Sequence, residues 1–422
     1  MSLQDYKDLI LPLRQQAGVK DRWLEERLET VIPAVMGRSD FDMWLIICHE
    51  YNEDPVIMSM LPATAMSARR LTILVFAKND DGTIDRFSVD RYGHGKFFET
   101  KWNPDKEDQW DCLAGLIKER DPQKIGVNFS KTFSFGDGLS YTLAEKLSDA
   151  LGEELMSRCA GAEDLAVGWL ETRTESEMVA YPSMVKMGHD LIREAFSSHV
   201  VQPGVTTTDD VIWYMRQRIH DMGLQAWFQP NCELQAPGQS FEFLAKPKRK
   251  LILPGDMLWC DVGFYYLGLA TDQQQQAYVL KPGEKDAPDG LKSALSDTNH
   301  LQDIHMRHMQ IGRTGNEVLE MTLKESRIFG MNAQIYSHPL GFHGHAAGPT
   351  IGLWDMQDGV PGRGDYPVYD NTAYSIELNL RKAIPEWDDQ VVRIQLEEDA
   401  IMKDGKMHWL DGRQHQNFHL IG

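Results

Sequence analysis

Residues 253–272, LPGDMLWCDVGFYYLGLATD, place one aspartate near the end of each of two apolar runs. The runs flank a tight reversal, so the stretch predicts a strand, a turn and a second strand. With the turn centred between Tyr266 and Leu267, Asp261 would lie directly opposite Asp272, where cross-strand Cβ atoms are about 4.5–5.5 Å apart. Two carboxylates that close repel by roughly 4 kcal/mol at an effective dielectric of 20. The hairpin is therefore a candidate metal site, because a cation would offset the repulsion.

The whole chain has the composition of an ordinary globular protein. Its 422 residues are 42% hydrophobic and 25% charged, which is enough for two domains with sizeable cores. The formal net charge of −20 argues against a nucleic-acid partner, which requires a basic surface. Five scattered cysteines, the lack of a signal-peptide pattern and the lack of a long apolar segment predict a cytoplasmic protein without a membrane partner.

The first part of the chain alternates strands with helices. Short apolar runs predict strands at residues 41–49, 70–77, 86–90 and 124–128, and a helical pattern covers 109–120. This alternation is typical of an α/β domain, which we place at residues 1–168. Amphipathic helices and later strand-rich segments predict a second, α+β domain at residues 169–422.

Three histidines occur within eight residues of the segment SHPLGFHGHAAGP, residues 337–349. A single histidine is more often a packed or solvated residue than a ligand. His338, His343 and His345 are interleaved with glycines, which let the backbone approach a ligand closely, and neutral imidazole binds mid-row divalent metals. The segment is therefore a second candidate for metal binding.

Two further strand patterns, TAYSIELNL at residues 372–380 and VVRIQLEEDAIM at residues 391–402, each carry a glutamate on a polar face. Side chains alternate between the faces of a strand, so the polar face holds Glu377 in the first strand and Glu397, rather than Glu398, in the second. A hairpin of these strands would present the two glutamates together, as the first hairpin presents its aspartates.

Taken together, these residues resemble the pita-bread metalloenzymes, which include prolidase, Xaa-Pro aminopeptidase, methionine aminopeptidase and creatinase. The resemblance covers about residues 170–415. The aspartate motif reads PGDMLWCDVG, and the second aspartate follows eleven positions after the first, in TDQQQQ. The histidine motif reads H-x-x-G, with another histidine seven positions after the first. The two glutamate strands read SIELNL and IQLEEDAIM. The resemblance implies an α/β creatinase-like domain at 1–168 and a pita-bread metal-binding catalytic domain at 169–422.

The resemblance also implies a dinuclear metal site with five ligands, which are Asp261, Asp272, His338, Glu377 and Glu397. Asp272 and Glu397 would bridge the two divalent ions. In the peptidases of the family, the counterpart of Glu377 also moves a proton of the attacking water, and that of His345 contacts the substrate and stabilises the tetrahedral intermediate. We expect Mn(II), with Fe(II), Co(II) or Zn(II) as alternatives for an oxygen-rich site.

Three departures concern the surroundings of these ligands. Proline-specific relatives carry a substrate-contacting histidine about seventeen residues before the first aspartate, where this chain has Phe243 and Leu244. We expect Phe243, Leu244 or Trp354 to take its place beside His345. The basic residue after the second aspartate is replaced by the run Gln273–Gln276, and the arginine before the last glutamate is Gln395, with Arg393 on the same face.

The leading hypothesis is a Xaa-Pro aminopeptidase- or prolidase-like hydrolase that cleaves X-Pro bonds in small peptides through a metal-bound hydroxide. The missing histidine favours an alternative, a metal-dependent C–N hydrolase or C–S lyase acting on a small molecule. A third hypothesis is a non-catalytic binding module of the same fold. The resemblance also implies a homodimer.

Overall fold

The computed structural model describes Tyr6 and residues 9–239 and 249–422. These residues divide into two compact units, Pro12–Ser176 and Glu177–Gly422, and the second unit includes the described residues that precede Pro12. The domain limits of 1–168 and 169–422 stay a prediction about where one domain ends and the next begins.

The unit Pro12–Ser176 is built on a mixed six-stranded sheet with the strand order β4-β3-β2-β1-β5-β6. Its strands are β1 (Met43–His49), β2 (Leu71–Lys78), β3 (Ile84–Ser88), β4 (Glu99–Thr100), β5 (Ile125–Val127) and β6 (Cys159–Gly161). Its helices are α1 (Leu13–Gly37), α2 (Gln109–Arg120), α3 (Tyr141–Met156) and α4 (Glu163–Glu171). The four strands predicted from apolar runs correspond to β1, β2, β3 and β5, which confirms an α/β unit.

The core of this first unit lies between its sheet and its helices. Strands β1 and β2 are buried along nearly their whole length, as continuous apolar runs predict for central strands. Helix α1 begins directly after Pro12, which fits the preference for proline at a helix start. Its stripe of Leu24, Leu28 and Val31 is buried, as the helical spacing predicts.

The unit Glu177–Gly422 holds a nine-stranded sheet with the path β13-β15-β16-β12-β9-β8, to which β14, β17 and β18 add at the sides, and a small sheet β11-β10-β7. The helices are α5 (Glu175–Ala195), α6 (Thr208–Asp221), α7 (Asp289–His308) and α8 (Gly315–Ile328). The strands are β7 (Gln225–Ala226), β8 (Asn231–Gln235), β9 (Met257–Val262), β10 (Phe264–Tyr266), β11 (Leu269–Ala270), β12 (Gln273–Val279), β13 (Asn332–Ile335), β14 (His338–Leu340), β15 (Thr372–Ile384), β16 (Gln390–Lys403), β17 (Lys406–Trp409) and β18 (His419–Ile421).

Helix α7 anchors the long hairpin of β15 and β16. Leu291 and Leu295 join one apolar cluster with β16, and Leu301 joins another with β15. Burial of each such side chain stabilises the fold by about 1.5–3 kcal/mol. The packing covers one face of the sheet and fixes the hairpin, so the polar side chains of the opposite face have defined positions.

The second unit is α+β, as predicted.

No helix in the described part of the chain combines the length and apolar character needed to cross a membrane.

Candidate metal centre

One row of directly opposed residues crosses the nine-stranded sheet. Glu377 of β15 pairs with Glu397 of β16, Glu397 pairs with Gln274 of β12, and Gln274 pairs with Asp261 of β9. Opposed residues point to the same face of a sheet, so three carboxylates and one amide lie side by side. The predicted hairpin that presents both glutamates is confirmed, and a turn at Pro385–Trp387 closes it.

The predicted register of the first hairpin is wrong by two residues. Asp261 lies opposite Gln274 instead of Asp272. The reversal is centred on Leu267 and Gly268, whose φ angles are +53° and +90°, and positive φ at both central residues is what a type I′ hairpin turn requires. Because side chains repeat every second residue, a shift of two leaves Asp272 on the same face as Asp261, in a diagonal position.

His338 lies on β14, the short strand that pairs with the start of β15. Its Nδ1 donates to the carbonyl oxygen of Pro339 at 2.9 Å, since that oxygen only accepts, and its buried Nε2 has no hydrogen-bond partner among the described residues. The Nε2 atom is 3.6 Å from Asp272 Oδ2, 3.5 Å from Glu397 Oε1 and 4.0 Å from Glu377 Oε2. A buried nitrogen without a hydrogen-bond partner, surrounded by carboxylate oxygens, marks a favourable place for a cation.

The carboxylate oxygens of Asp261 and Asp272 also indicate a place for a cation. Oδ1 of Asp261 and Oδ1 of Asp272 are shielded from solvent and have no hydrogen-bond partner among the described residues. Burial and the charge of Glu397 raise the pKa of both carboxyls well above the usual range. Burial and Glu397 also raise the pKa of Glu377, against the opposing charge of Arg393. Buried charges of one sign need a counter-charge, and these hard oxygen donors fit divalent cations.

Three sets of side chains in the described residues each bring one donor atom per residue within 4.8 Å of the others, namely Asp261–Asp272–Glu397, His338–Glu377–Glu397 and Asp272–His338–His345. The five predicted ligands all belong to these sets, and His343 belongs to none. Asp272, His338 and Glu397 each occur in two sets, and the two carboxylates among them are the residues predicted to bridge. The residues therefore fit two divalent ions, and their role as ligands stays a prediction.

Gln274 is a member of the row that the sequence pattern did not single out. Its Nε2 donates to Glu377 Oε1 at 2.5 Å and to Glu397 Oε2 at 2.7 Å. From the sequence alone, the run Gln273–Gln276 indicates only that the basic residue found after the second aspartate in relatives is absent. The alternation of the strand, counted from Asp272, is the signal that would have placed Gln274 on the metal face.

His345 lies next to His338, with the two ring centroids 4.7 Å apart. Although part of the His345 side chain is exposed, burial of the ring and the proximity of His338 lower its pKa to about 4. The imidazole is therefore neutral near pH 7 and has one N–H to donate. Of the residues predicted beside it, Phe243 and Leu244 lie outside the described residues, and Trp354 is exposed.

Trp227 is an aromatic neighbour of His345 that the sequence did not predict. The ring centroids are 5.2 Å apart and the ring planes meet at 78°. The Trp227 indole donates from Nε1 to the carbonyl oxygen of Thr271 at 2.9 Å, which fixes the ring. Gly344 leaves room for it, since a Cβ at this position would lie 2.2 Å from the indole. The site is thus bounded beside His345 by an aromatic ring.

Glu398 points to the opposite face of the sheet, as the alternation predicts. Its carboxylate accepts from Gln275 Nε2 at 2.8 Å and from the Gln414 backbone N–H at 2.7 Å, and it lies 2.6 Å from His189 Nε2. The other nitrogen of His189 is 2.9 Å from Asp411. Burial alone would lower the pKa of His189, but the two carboxylates raise it to about 10. Glu398 is therefore satisfied by an internal cation.

We expect His189 to make stability depend on pH. Its pKa rises from 6.5 in the unfolded chain to about 10 in the fold, so between these values the folded state retains a proton that the unfolded state has released. Stability is then full below pH 6.5 and falls as the pH approaches 10, by about 1.4 kcal/mol per pH unit at most. Urea unfolding of the wild type and of Glu398→Gln at pH 7, 8.5 and 10 measures this. Between pH 7 and pH 10, the difference in unfolding free energy between the wild type and Glu398→Gln should shrink by a few kcal/mol. A constant difference would contradict the charge on His189.

Comparison with known protein families gives one match. The sequence model of metallopeptidase family M24 matches residues 184–404, just over half of the chain. The matched span contains the five predicted ligands and His345. A comparison with curated proteins gives no match.

Solved structures share the fold across nearly the whole chain. An X-Pro aminopeptidase from Thermotoga maritima is 16% identical with a TM-score of 0.64, covering 92% of this chain and 100% of its own. An Xaa-Pro dipeptidase from Bacillus anthracis is 16% identical with a TM-score of 0.62, covering 94% and 100%. The N-terminal domain of the FACT complex subunit SPT16 from chickpea is 11% identical with a TM-score of 0.55, covering 97% and 100%. Such low identities show the fold alone, and they confirm the predicted pita-bread fold with an N-terminal α/β domain.

Proposed function

The chain belongs to metallopeptidase family M24, and from this premise we propose that it is a dinuclear metal-dependent peptidase that cleaves X-Pro bonds in small peptides. The observation that carries the proposal is the buried Nε2 of His338, which has no hydrogen-bond partner among the described residues and lies 3.5–4.0 Å from oxygens of Asp272, Glu377 and Glu397. Together with Asp261, these residues provide four carboxylates and one imidazole. The four negative charges match the charge of two divalent ions. We infer Mn(II) as the metal.

Two divalent ions held by these five residues would supply an activated water and would polarise a carbonyl group. The protein supplies the proton transfers and the contacts to the substrate. Glu377 lies at one end of the row of acidic residues, with Oε2 towards His338 and Oε1 held by Gln274, and we assign to it the transfer of a proton from the attacking water. Neutral His345 would donate a hydrogen bond to the oxygen that gains charge as the peptide bond is attacked.

A specific observation favours a second candidate, a metal-dependent enzyme that acts on a small molecule other than a peptide. Trp227 packs against His345 and lines the site with an indole ring, and the chain has no histidine about seventeen residues before Asp261, where proline-specific relatives carry one that contacts the substrate. An aromatic face favours an apolar or cationic group over a backbone carbonyl. C–N hydrolysis and C–S cleavage are the reactions that this alternative includes.

Turnover with X-Pro substrates tests the proposed function. With saturating Mn(II), we expect release of proline from X-Pro dipeptides or release of X from X-Pro-Y peptides, and we expect a chelator to abolish it. The matched control is the same peptide with alanine in place of proline, which should be cleaved at least about tenfold more slowly if the site discriminates by roughly 1.4 kcal/mol. Metal binding without turnover of any X-Pro substrate would favour the second candidate. Absence of metal binding would favour a non-catalytic binding module.

The cellular setting and assembly are part of the same proposal. We infer a cytoplasmic homodimer with small peptides as substrates, supported by the family and by the acidic, cysteine-poor composition. Size-exclusion chromatography with light scattering tests the dimer, and a mass near 48.1 kDa would contradict it.

A further inference from the structure

We propose that Gln274 is a positioning residue of the metal centre, which holds Glu377 and Glu397 by donating one N–H to each carboxylate. The inference rests on the proposed function, because it concerns the same site. The amide nitrogen is 2.5 Å from Glu377 Oε1 and 2.7 Å from Glu397 Oε2. A primary amide has two N–H groups, so both are used on these two residues.

A hydrogen bond to its oxygen fixes the orientation of the Gln274 amide. Trp259 Nε1 donates to Gln274 Oε1 at 3.0 Å, and an indole nitrogen can only donate. The oxygen of the amide must therefore face Trp259, which leaves the nitrogen for the glutamates. Both side chains are buried, with Gln274 1% and Trp259 7% exposed, so water does not compete for these groups.

The backbone of Gln274 has a paired strand on each side. The residue pairs with Asp261 on one side and with Glu397 on the other, in the middle of the row that crosses the sheet. The amide is also neutral. It can therefore orient the carboxylates through its N–H groups without neutralising their charge.

The arrangement leaves one oxygen of each glutamate directed towards the metal-binding face. Glu377 Oε2 and Glu397 Oε1 lie 4.0 Å and 3.5 Å from His338 Nε2, and Ser375 Oγ also donates to Glu397 Oε1. Rotation of either carboxylate would break its bond to Gln274. The amide therefore selects the oxygen that each glutamate offers to a cation, as outer hydrogen bonds commonly do for metal ligands.

Replacement of Gln274 by methionine tests this role, because methionine has a similar volume and no donor. The matched control is Gln275→Met. Gln275 is the next residue of the same strand, is also buried, and donates to Glu398 on the opposite face at 2.8 Å. Gln275→Met thus loses one glutamine-to-glutamate hydrogen bond on the opposite face, whereas Gln274→Met loses two at the proposed metal centre.

Affinity for Mn(II) and Co(II) is measured by titration of the metal-free, full-length protein. We expect Gln274→Met to bind metal about 10–100-fold more weakly than the wild type, the range typical for loss of an outer hydrogen bond to a ligand. Gln275→Met should stay within about threefold of the wild type. The absorption spectrum of the Co(II) protein should change in Gln274→Met alone, since a purely structural role would not alter the ligand geometry.

Trp259→Phe gives an independent test, because it removes the N–H that orients the amide. We expect a smaller loss of metal affinity than in Gln274→Met, and no further loss when Trp259→Phe is added to Gln274→Met, since the two act through one group.

Equal affinities and unchanged Co(II) spectra in the wild type and Gln274→Met would overturn the inference while the wild type still bound metal. Equal losses in Gln274→Met and Gln275→Met would also overturn it, because they would indicate general destabilisation. If the wild type bound no divalent metal, the proposed function itself would fail, so the two failures are distinguishable.

Discussion

Glu377→Gln should abolish turnover while the fold remains. An amide keeps the shape and one ligating oxygen of the glutamate, but it cannot accept a proton at neutral pH. Loss of a positioned proton-transfer group typically lowers the rate about 10²–10⁴-fold, and we expect kcat for an X-Pro dipeptide to fall by this factor with saturating Mn(II). KM should change far less, because the residue acts in the chemical step.

The control for this substitution is Glu233→Gln. Glu233 lies on β8, two residues from Asn231, which pairs with Asp261, so it shares the face of the sheet but is not one of the five proposed ligands. Undiminished activity of Glu377→Gln would remove its proton-transfer role. Full recovery at high Mn(II) concentration would show that Glu377 serves as a ligand alone.

Substitutions of the two adjacent glutamates of β16 should affect different properties, metal binding for Glu397 and stability for Glu398. Glu397 belongs to two of the three sets of donor atoms and is proposed to bridge the two ions, so Glu397→Gln should remove a charge that both ions would share. We expect its metal affinity to fall by more than about 100-fold, beyond the usual loss for an outer hydrogen bond. Metal content after dialysis, measured by mass spectrometry, should drop from two ions towards none.

Glu398→Gln should retain its metal and lose stability instead. The Glu398 side chain is fully buried and lies 2.6 Å from His189, which carries a charge at neutral pH. Breaking a buried ion pair costs about 3–5 kcal/mol, and we expect the lower end because Asp411 still faces His189. Urea unfolding at pH 7 measures the loss.

The pair of variants checks the register of β16 directly. Both lie in the same strand and both lose one buried carboxylate, so general effects of the substitution cancel in the comparison. Loss of metal in Glu398→Gln with retention in Glu397→Gln would mean that the opposite face of the sheet binds the ions, and the proposed centre would be wrong.

Much of the fold was predictable because its causes are local. The uninterrupted apolar run of β1 predicts a buried strand, and the stripe of Leu24, Leu28 and Val31 predicts the buried side of α1. Alternation along residues 391–402 was sufficient to separate Glu397 from Glu398, since the period of two is a property of the extended backbone itself.

The first hairpin shows where local reasoning was insufficient. The choice between two turn centres, one residue apart, depends on whether Leu267 adopts the left-handed conformation that it has in the fold. A leucine rarely does so, and the twist of the flanking strands decides the matter. The error moved the partner of Asp261 but not its face, so the candidate ligands were still identified.

By itself, the sequence determined the types of donor, the strands that carry them and the faces to which they point. Only the tertiary structure decided that the two predicted hairpins are neighbours in one sheet, and hence that Gln274 lies between Asp261 and Glu397 and that Trp227 lies against His345. The physical reason is that backbone periodicity acts over a few residues, whereas the pairing of Gln274 with Glu397 and the contact of Trp227 with His345 join residues more than one hundred positions apart through packing of the whole unit.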